Sequence, residues 1–332
     1  MNTFGNKFRI SIFGESHGSA IGVVMDGIQS GLNISINDFT KGLQKRATGE
    51  LGTSSRKEDD IPEIISGWND GITTGAPMTI IFKNNNIKSS DYSKFRDIPR
   101  PGHADYTAAV KHNEYNDIRG GGHFSGRMTL CLVAAGIVAE KIIEQKYSNI
   151  SFNASISEIG GIKTTHTDIN SSEIQVLLQD TIKKGDSIGA IISCSINNIP
   201  AGIGEPFFDS VESIISHLAF SIPGVRGIEF GDGFQASAMR GSEHNDCIID
   251  SEGRTKTNGS GGINGGISNG NQIIFRTAFK PTSSIKLPQE TFNFKTNKIE
   301  SLEITGRHDV CFALRCPVIV ESIAKIAIAN FL

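Results

Sequence analysis

Two stretches of this chain set titratable side chains among glycines. Arg100-Pro101-Gly102-His103-Ala104-Asp105 presents a histidine on a Pro-Gly turn. Arg119-Gly120-Gly121-Gly122-His123-Phe124-Ser125-Gly126-Arg127 then feeds a serine and an arginine into an apolar run, Leu130 to Ala139. Glycine lets backbone N–H groups come close to an anion, and a helix beginning at Ser125 aims the positive end of its dipole the same way. Arginines and histidines around such a loop suit phosphate or carboxylate, with a group alongside that titrates near neutrality. A glycine-rich loop before a helix is often no more than a tight turn. Here related chemistry recurs at Gly14-Glu15-Ser16-His17-Gly18 and at Gly306-Arg307-His308-Asp309, at opposite ends of the chain. Lys280-Pro281-Thr282-Ser283-Ser284 adds a cation and three hydroxyls in one turn, and Asn258 to Gly270 is glycine-dense enough to read as a loop that hugs a ligand.

The elements that must position these groups follow from hydrophobic period and caps. Phe8 to Phe13 and Ile21 to Met25 alternate as strands around the Gly14–Gly18 turn, with His17 at its tip. Asn37 or Asp38 is placed to cap a helix through Phe39, Leu43 and Arg46. A polar loop to Arg56-Lys57-Glu58-Asp59-Asp60 reads as a solvated charge run or as a cationic lid. Strands are expected at Ile61 to Ser66, Met78 to Phe82, Ile150 to Ile156, Ile188 to Ile196, Val225 to Phe230 and Gln272 to Phe279. Helices are expected at Asp105 to Tyr115, Ser125 to Gln145, Ser171 to Lys184, Phe208 to Ser221 and Pro317 to Leu332, the last amphipathic. Strands and helices alternate without a strict βαβ pattern. That favours α+β, with antiparallel sheets, in a single large domain over residues 1–332.

Composition narrows the function classes. At 332 residues the chain can bury a large core, and a net charge of −3 argues against a nucleic-acid binder with a basic surface. The five cysteines are scattered without a Cys-x-x-Cys pair, so neither a disulfide framework nor a metal site is expected. No signal peptide is expected, and Leu130 to Ala139 is half a membrane span, so the reading is a cytoplasmic protein that does not enter the membrane. No dinucleotide fingerprint or P-loop appears.

These motifs resemble chorismate synthase. Gly14 to Gly18 looks like the family's first signature, Arg100 to Asp105 with Arg119 to Thr129 like its second, and Arg307-His308-Asp309 with Cys311 and Arg315 like its third. Ile199 to Pro206 and Gly265 to Gly270 match family segments too, and the likeness is collinear from Phe4 to Leu332. The chain departs from the pattern in reading His123 for arginine and Met128 for glutamate, and Lys45-Arg46-Ala47-Thr48 for a run of three arginines. The His123 and 45–48 changes remove positive charge, while Met128 removes a negative one.

The resemblance implies long helices sandwiched between antiparallel sheets, a homotetramer, and reduced FMN as cofactor. NADPH would be at most an indirect reductant of that flavin. It implies an anti 1,4-elimination in which 5-enolpyruvylshikimate 3-phosphate loses phosphate and its C6 proton to give chorismate, without net redox change. The substrate carries two carboxylates and a phosphate, for which Arg46, Arg100, Arg127 and Arg307 are the candidate cations, with Ser125 and Gly126 assisting. His103 is the candidate general acid for the leaving phosphate, Asp309 the group that relieves the flavin of its proton, and His17 the partner of the flavin's other edge. Carried over as flavin-holding are His123, Phe124, Ser125, Pro223, Gly224, Gly265, Lys280, Pro281, Thr282, Ser283, Ser284 and Arg307. Two competing readings remain: a flavoprotein oxidoreductase with net hydride transfer, and a non-catalytic anion-binding relative.

Overall fold

The computed structural model describes the chain from Met1 to Leu332 apart from residues 48, 50, 55–58, 86–91, 165–170 and 307. Two five-stranded antiparallel sheets enclose a layer of helices. The first sheet contains Thr3–Phe4 (β1), Arg9–Gly14 (β2), Ala20–Asp26 (β3), Glu63–Ser66 (β4) and Met78–Lys83 (β5), in the order β1-β2-β3-β5-β4. Strand β3 pairs with β2 from Arg9↔Asp26 to Gly14↔Ile21 and with β5 from Ala20↔Lys83 to Met25↔Met78. The second contains Ser151–Ile159 (β6), Ile162–Lys163 (β7), Ala190–Asn197 (β8), Val225–Phe230 (β9) and Ile273–Phe279 (β10), in the order β9-β10-β8-β6-β7. Period-2 sequence decides which face is buried. Ile21, Val23 and Met25 of β3, Met78, Ile80 and Phe82 of β5, Ile192, Cys194 and Ile196 of β8, and Ile273, Phe275 and Thr277 of β10 are all fully buried.

The helices are Ile36–Gln44 (α1), Asp105–Lys111 (α2), Thr129–Lys146 (α3), Ser172–Lys184 (α4), Val211–Ala219 (α5) and Pro317–Ala329 (α6). α3 packs against β3, α1 and α6, while α6 packs against β6, β8 and α5. The α3–α6 pair therefore forms the middle of the sandwich. Its crossing is set by a small residue: a Cβ on Gly136 would stand 2.4 Å from Cβ of Ser322. Gly42 of α1 lies as close to Ile137, where an added Cβ would meet Cδ1 at 2.6 Å. Only residues without a side chain allow the helix axes to approach this far.

Several sequence expectations are corrected. Ser35, not Asn37 or Asp38, caps α1: its side chain accepts from Asp38 N–H while the Asp38 carboxylate accepts from Ser35 N–H. That reciprocal box satisfies two otherwise orphaned donors. α2 stops at Lys111, because Asn113 and Glu114 take φ values of 49° and 65°. Residues 126–128 form a 3₁₀ turn before α3 begins at Thr129. α5 starts at Val211 behind a Ser210 cap, three residues later than Phe208. α6 is almost wholly core, with a polar stripe of only Glu321 and Lys325: Ile319, Val320, Ile323, Ala324, Ile326, Ala327 and Ile328 are all fully buried. The Asn258–Gly270 stretch holds a hairpin, Ile263–Asn264 with Ile267–Ser268, whose turn residues Gly265 and Gly266 have φ of 61° and 88°. The charged segment read as a lid lies in part outside the described residues.

Candidate active site

Six segments converge beside the start of α3: the turn after β2, residues 92–104, the 119–128 loop, residues 220–226, the 280–284 turn and residues 308–315. Most of them wall a cleft of about 860 Å³. The glycines explain how they come so close. Gly120, Gly121 and Gly122 have φ of 60°, 80° and 53°. A Cβ on Gly120 would sit 2.5 Å from the His17 ring, and one on Gly122 would sit 2.0 Å from the Asp117 carbonyl oxygen. Ser16 N–H donates to the Gly122 carbonyl at 3.1 Å, and His123 Nδ1 lies 2.8 Å from the Gly14 carbonyl, to which it donates. The first and second glycine motifs are thus one unit. Ser125 closes it by accepting from Arg127 N–H at 3.3 Å as the helical turn begins.

The cations are engaged before any ligand arrives. Arg46 is buried, with Nε donating to Thr129 Oγ1 at 3.0 Å and Nη2 to the Gly126 carbonyl at 2.9 Å. Burial and then the neighbouring Arg315 lower its pKa to about 10, so it stays charged at neutral pH. Arg127 donates to Asn84 Oδ1 at 2.6 Å and to Asp60 Oδ1 at 2.9 Å. The other Asp60 oxygen lies 3.6 Å from Arg46. One carboxylate therefore bridges two of the arginines expected to hold substrate. Asp309 accepts from Ser54 N–H at 2.7 Å and faces Arg315 Nη1 at 3.4 Å, while Arg315 Nε donates to the Arg46 carbonyl. Arg307 lies outside the described residues.

Arg100 lines the cleft but is already bonded within the protein. It is 5% exposed; Nε and Nη2 donate to the two Asp105 oxygens at 2.7 and 2.8 Å, and Nη1 donates to Ser284 Oγ at 3.0 Å. Its guanidinium lies 4.4 Å from the Phe95 ring centroid. His103 Nδ1 is 2.6 Å from Asp105 Oδ1. Arg100 Nη2 is also 3.1 Å from that nitrogen, but the contact to the carboxylate oxygen, which can only accept, is the shorter, and it places the proton on Nδ1. Burial pushes the His103 pKa down; Asp105 pushes it up, and Arg100 and Lys280 oppose that. Lys280 and Ser283 both donate to the Gly102 carbonyl, which fixes the turn that carries His103.

His308, beside Asp309, is held neutral: burial and then Arg100 bring its pKa down to about 4. Its Nε2 is buried without a partner among the described residues, as are the hydroxyls of Thr282 and Ser16. His308 and Thr282 line the cleft. Orphaned polar atoms in a cleft wall are what a bound ligand would satisfy.

A family model described as chorismate synthase matches residues 8–332. The chain belongs to the chorismate synthase family. Chorismate synthase of Chitinophaga pinensis is 49% identical over 332 residues, covering 100% of this chain and 96% of that protein. Chorismate synthase of Korarchaeum cryptofilum is 42% identical, covering 98% and 96%, and that of Thermococcus kodakarensis 38%, covering 99% and 96%. A crystal structure of chorismate synthase superposes with a TM-score of 0.74 at 22% identity over 99% of this chain and 92% of its own, which shows the shared fold.

The residues carried over from the family, Arg307 apart, divide two ways. Arg46, Arg100, His103, His123, Phe124, Ser125, Gly126, Arg127, Pro223, Gly224, the whole of 280–284 and Asp309 line the cleft. His17 does not: it is buried behind Gly120 with its ring edge-on to Tyr92 at 5.1 Å. Nor does Gly265, whose hairpin turn has no atom within 4 Å of an added Cβ. Asp60, Asp105, Arg226 and Arg315 were missed. Asp105 and Arg315 carried a signal, since each stands in a family-like motif, beside His103 and behind Asp309 respectively.

Proposed function

We infer that the protein is a phosphate lyase that converts 5-enolpyruvylshikimate 3-phosphate to chorismate by anti 1,4-elimination. The observation that carries this is His103. It lies in the wall of a cation-rich cleft, with one ring nitrogen tied to a carboxylate and the other without a partner among the described residues. A polyanionic substrate needs such a cleft, and loss of phosphate needs a proton donor beside it.

The site also suits FMN. The cleft combines apolar side chains at Ile222, Pro223, Val225 and Phe312 with the cation and hydroxyls of 280–284, and two of its polar atoms have no partner among the described residues. An apolar wall suits a planar ring and the polar turn suits a phosphate tail. When bound, reduced flavin supplies the electron density that makes loss of the C6 proton accessible. Arg46 and Arg127 hold the substrate anion. His103 gives its proton to the departing phosphate oxygen as the C–O bond breaks. Asp309 is the carboxylate we assign to receive the proton that leaves C6. This reading takes the protein as a cytoplasmic homotetramer, with exposed Phe207, Phe208, Phe220 and Phe234 as its candidate contact residues. NADPH enters only upstream, as a source of reduced flavin.

The test is anaerobic incubation with substrate and dithionite-reduced FMN, read by phosphate release. We expect release that depends on reduced flavin and falls by about 10²–10⁴-fold in His103→Ala, the scale of a lost general acid. No release would leave the anion-binding relative as the surviving reading. Release unchanged in His103→Ala would remove His103 from the chemistry.

A further inference from the structure

We propose that Asp105 is the positioning residue of the cleft's proton donor: it receives the Nδ1–H of His103, fixes the tautomer that presents Nε2, and is itself locked in place by Arg100 and Ser284. This rests on the reading of His103 as the proton donor.

The geometry leaves Asp105 little freedom. The carboxylate is 6% exposed, and both oxygens are fixed by charge-assisted bonds. Oδ1 faces His103 Nδ1 at 2.6 Å and Arg100 Nη2 at 2.8 Å; Oδ2 faces Arg100 Nε at 2.7 Å and the Arg100 backbone N–H at 3.1 Å. Burial pushes the Asp105 pKa up, but the hydrogen bonds from Arg100 and His103 more than offset this and keep the carboxyl ionised. A lone pair on Nδ1 would face that anion at hydrogen-bond distance, so the proton must sit there and Nε2 must be the nitrogen left for a ligand. Nε2 lies 3.5 Å from where a Cβ on Gly121 would stand, beside the glycine loop of the cleft. A side chain at Gly121 would crowd the ligand's approach.

The chain makes a second use of the same carboxylate. In an isolated Asp–His pair the full negative charge stabilises imidazolium and raises the histidine pKa. Here Arg100 shares that charge. The other groups near His103 are Lys280, on the 280–284 turn, and neutral His308, on the 305–309 segment, with Arg307 of that segment outside the described residues. The balance leaves His103 neutral near pH 7 in the free protein. An arriving dianion adds the missing negative charge, and the proton is taken up at Nε2 as the anion binds. The donor is then charged only when there is a leaving group to receive its proton.

The first test needs no variant and no turnover. In protein labelled with ¹⁵N-histidine, the ring nitrogens of His103 should report the Nδ1–H tautomer at pH 7.5, and inorganic phosphate should shift the ring toward imidazolium. Calorimetry in buffers of different ionisation enthalpy should show proton uptake on phosphate binding. A predominant Nε2–H tautomer overturns the proposal whether or not the lyase reaction is observed. The second test is a double-mutant cycle on phosphate release. Asp105→Asn should lower turnover by about 10²-fold or more, as loss of the partner that fixes a catalytic tautomer does elsewhere. Asp105→Glu should recover part of it. In a His103→Ala background, Asp105→Asn should cost less than about two-fold more. An equal loss in both backgrounds makes Asp105 a fold residue and sinks the positioning role. If Asp105→Asn fails to fold, Ser284→Ala, which removes only one support of Arg100, should still move the alkaline limb of the pH profile, where a general acid loses its proton. An unmoved limb contradicts the proposal.

Discussion

At the scale of single residues, the cleft separates groups that hold charge from groups that move protons. Arg46, Arg100 and Arg127 each spend donors on the protein itself, so their positions are set before ligand binds. Asp309 is the sharper case. Its carboxylate meets the Ser54 N–H and Arg315, and not a pairing that the Gly-Arg-His-Asp segment could show by itself. Asp309→Asn keeps the shape and removes the base. If Asp309 receives the C6 proton, single-turnover rates should fall by about 10²-fold or more with ligand affinity preserved. A rate within a few-fold of wild type, with unchanged or tighter anion binding, would make it a counter-ion of Arg315.

His308 gives a prediction on stability. Its pKa is about 4 in the folded chain against 6.5 for a free imidazole. Above pH 6.5 both states are neutral there. Between about 6.5 and 4 the unfolded chain binds a proton that the folded chain refuses, so stability falls as pH falls through that window. At 1.36 kcal/mol per unit the effect is on the order of 1–3 kcal/mol. His308→Gln should remove it, so the gap in melting temperature between wild type and variant should change between pH 7 and pH 4.5. Parallel profiles would show that His308 charges freely in the fold.

At the scale of elements, what the sequence made legible was local. Strands β3, β5, β8 and β10 follow from period-2 alternation, and the Ser171 cap with Gly185 bounds α4 as expected. The glycine motifs and His103 were legible because each is carried by a few adjacent residues. Contacts across the chain were not. Nothing in the spacing joins Arg46 to Asp60 or sets Gly136 against Ser322. The face of α6 that reads as polar narrows to Glu321 and Lys325, because its Ala and Ser are small enough to bury. Gly265 carries the glycine signal of a ligand loop but turns a hairpin away from the cleft. Two predictions belong here. Gly136→Val should destabilise by about 1–3 kcal/mol, because the α3–α6 crossing has no room for the added methyls. A melting temperature within a degree of wild type would show that the pair can separate. Asp60→Asn should remove the carboxylate between Arg46 and Arg127 and tighten inorganic phosphate binding by about five-fold, near 1 kcal/mol. Weaker binding on calorimetry would instead make Asp60 a support that holds the arginines in register.

At the scale of the molecule, the sandwich brings both ends of the chain to one place. His123 binds the Gly14 carbonyl, Ser54 holds Asp309, and the 280–284 turn clamps Gly102. The site therefore forms only when both sheets are folded onto the α3–α6 core. The central claim is that this site eliminates phosphate without consuming electrons. Chorismate formed per reduced FMN oxidised, measured anaerobically with substrate in hundred-fold excess over flavin, tests it most directly. The account predicts that substrate is exhausted while the flavin ends the reaction reduced. One flavin oxidised per product formed would contradict it and make the protein an oxidoreductase.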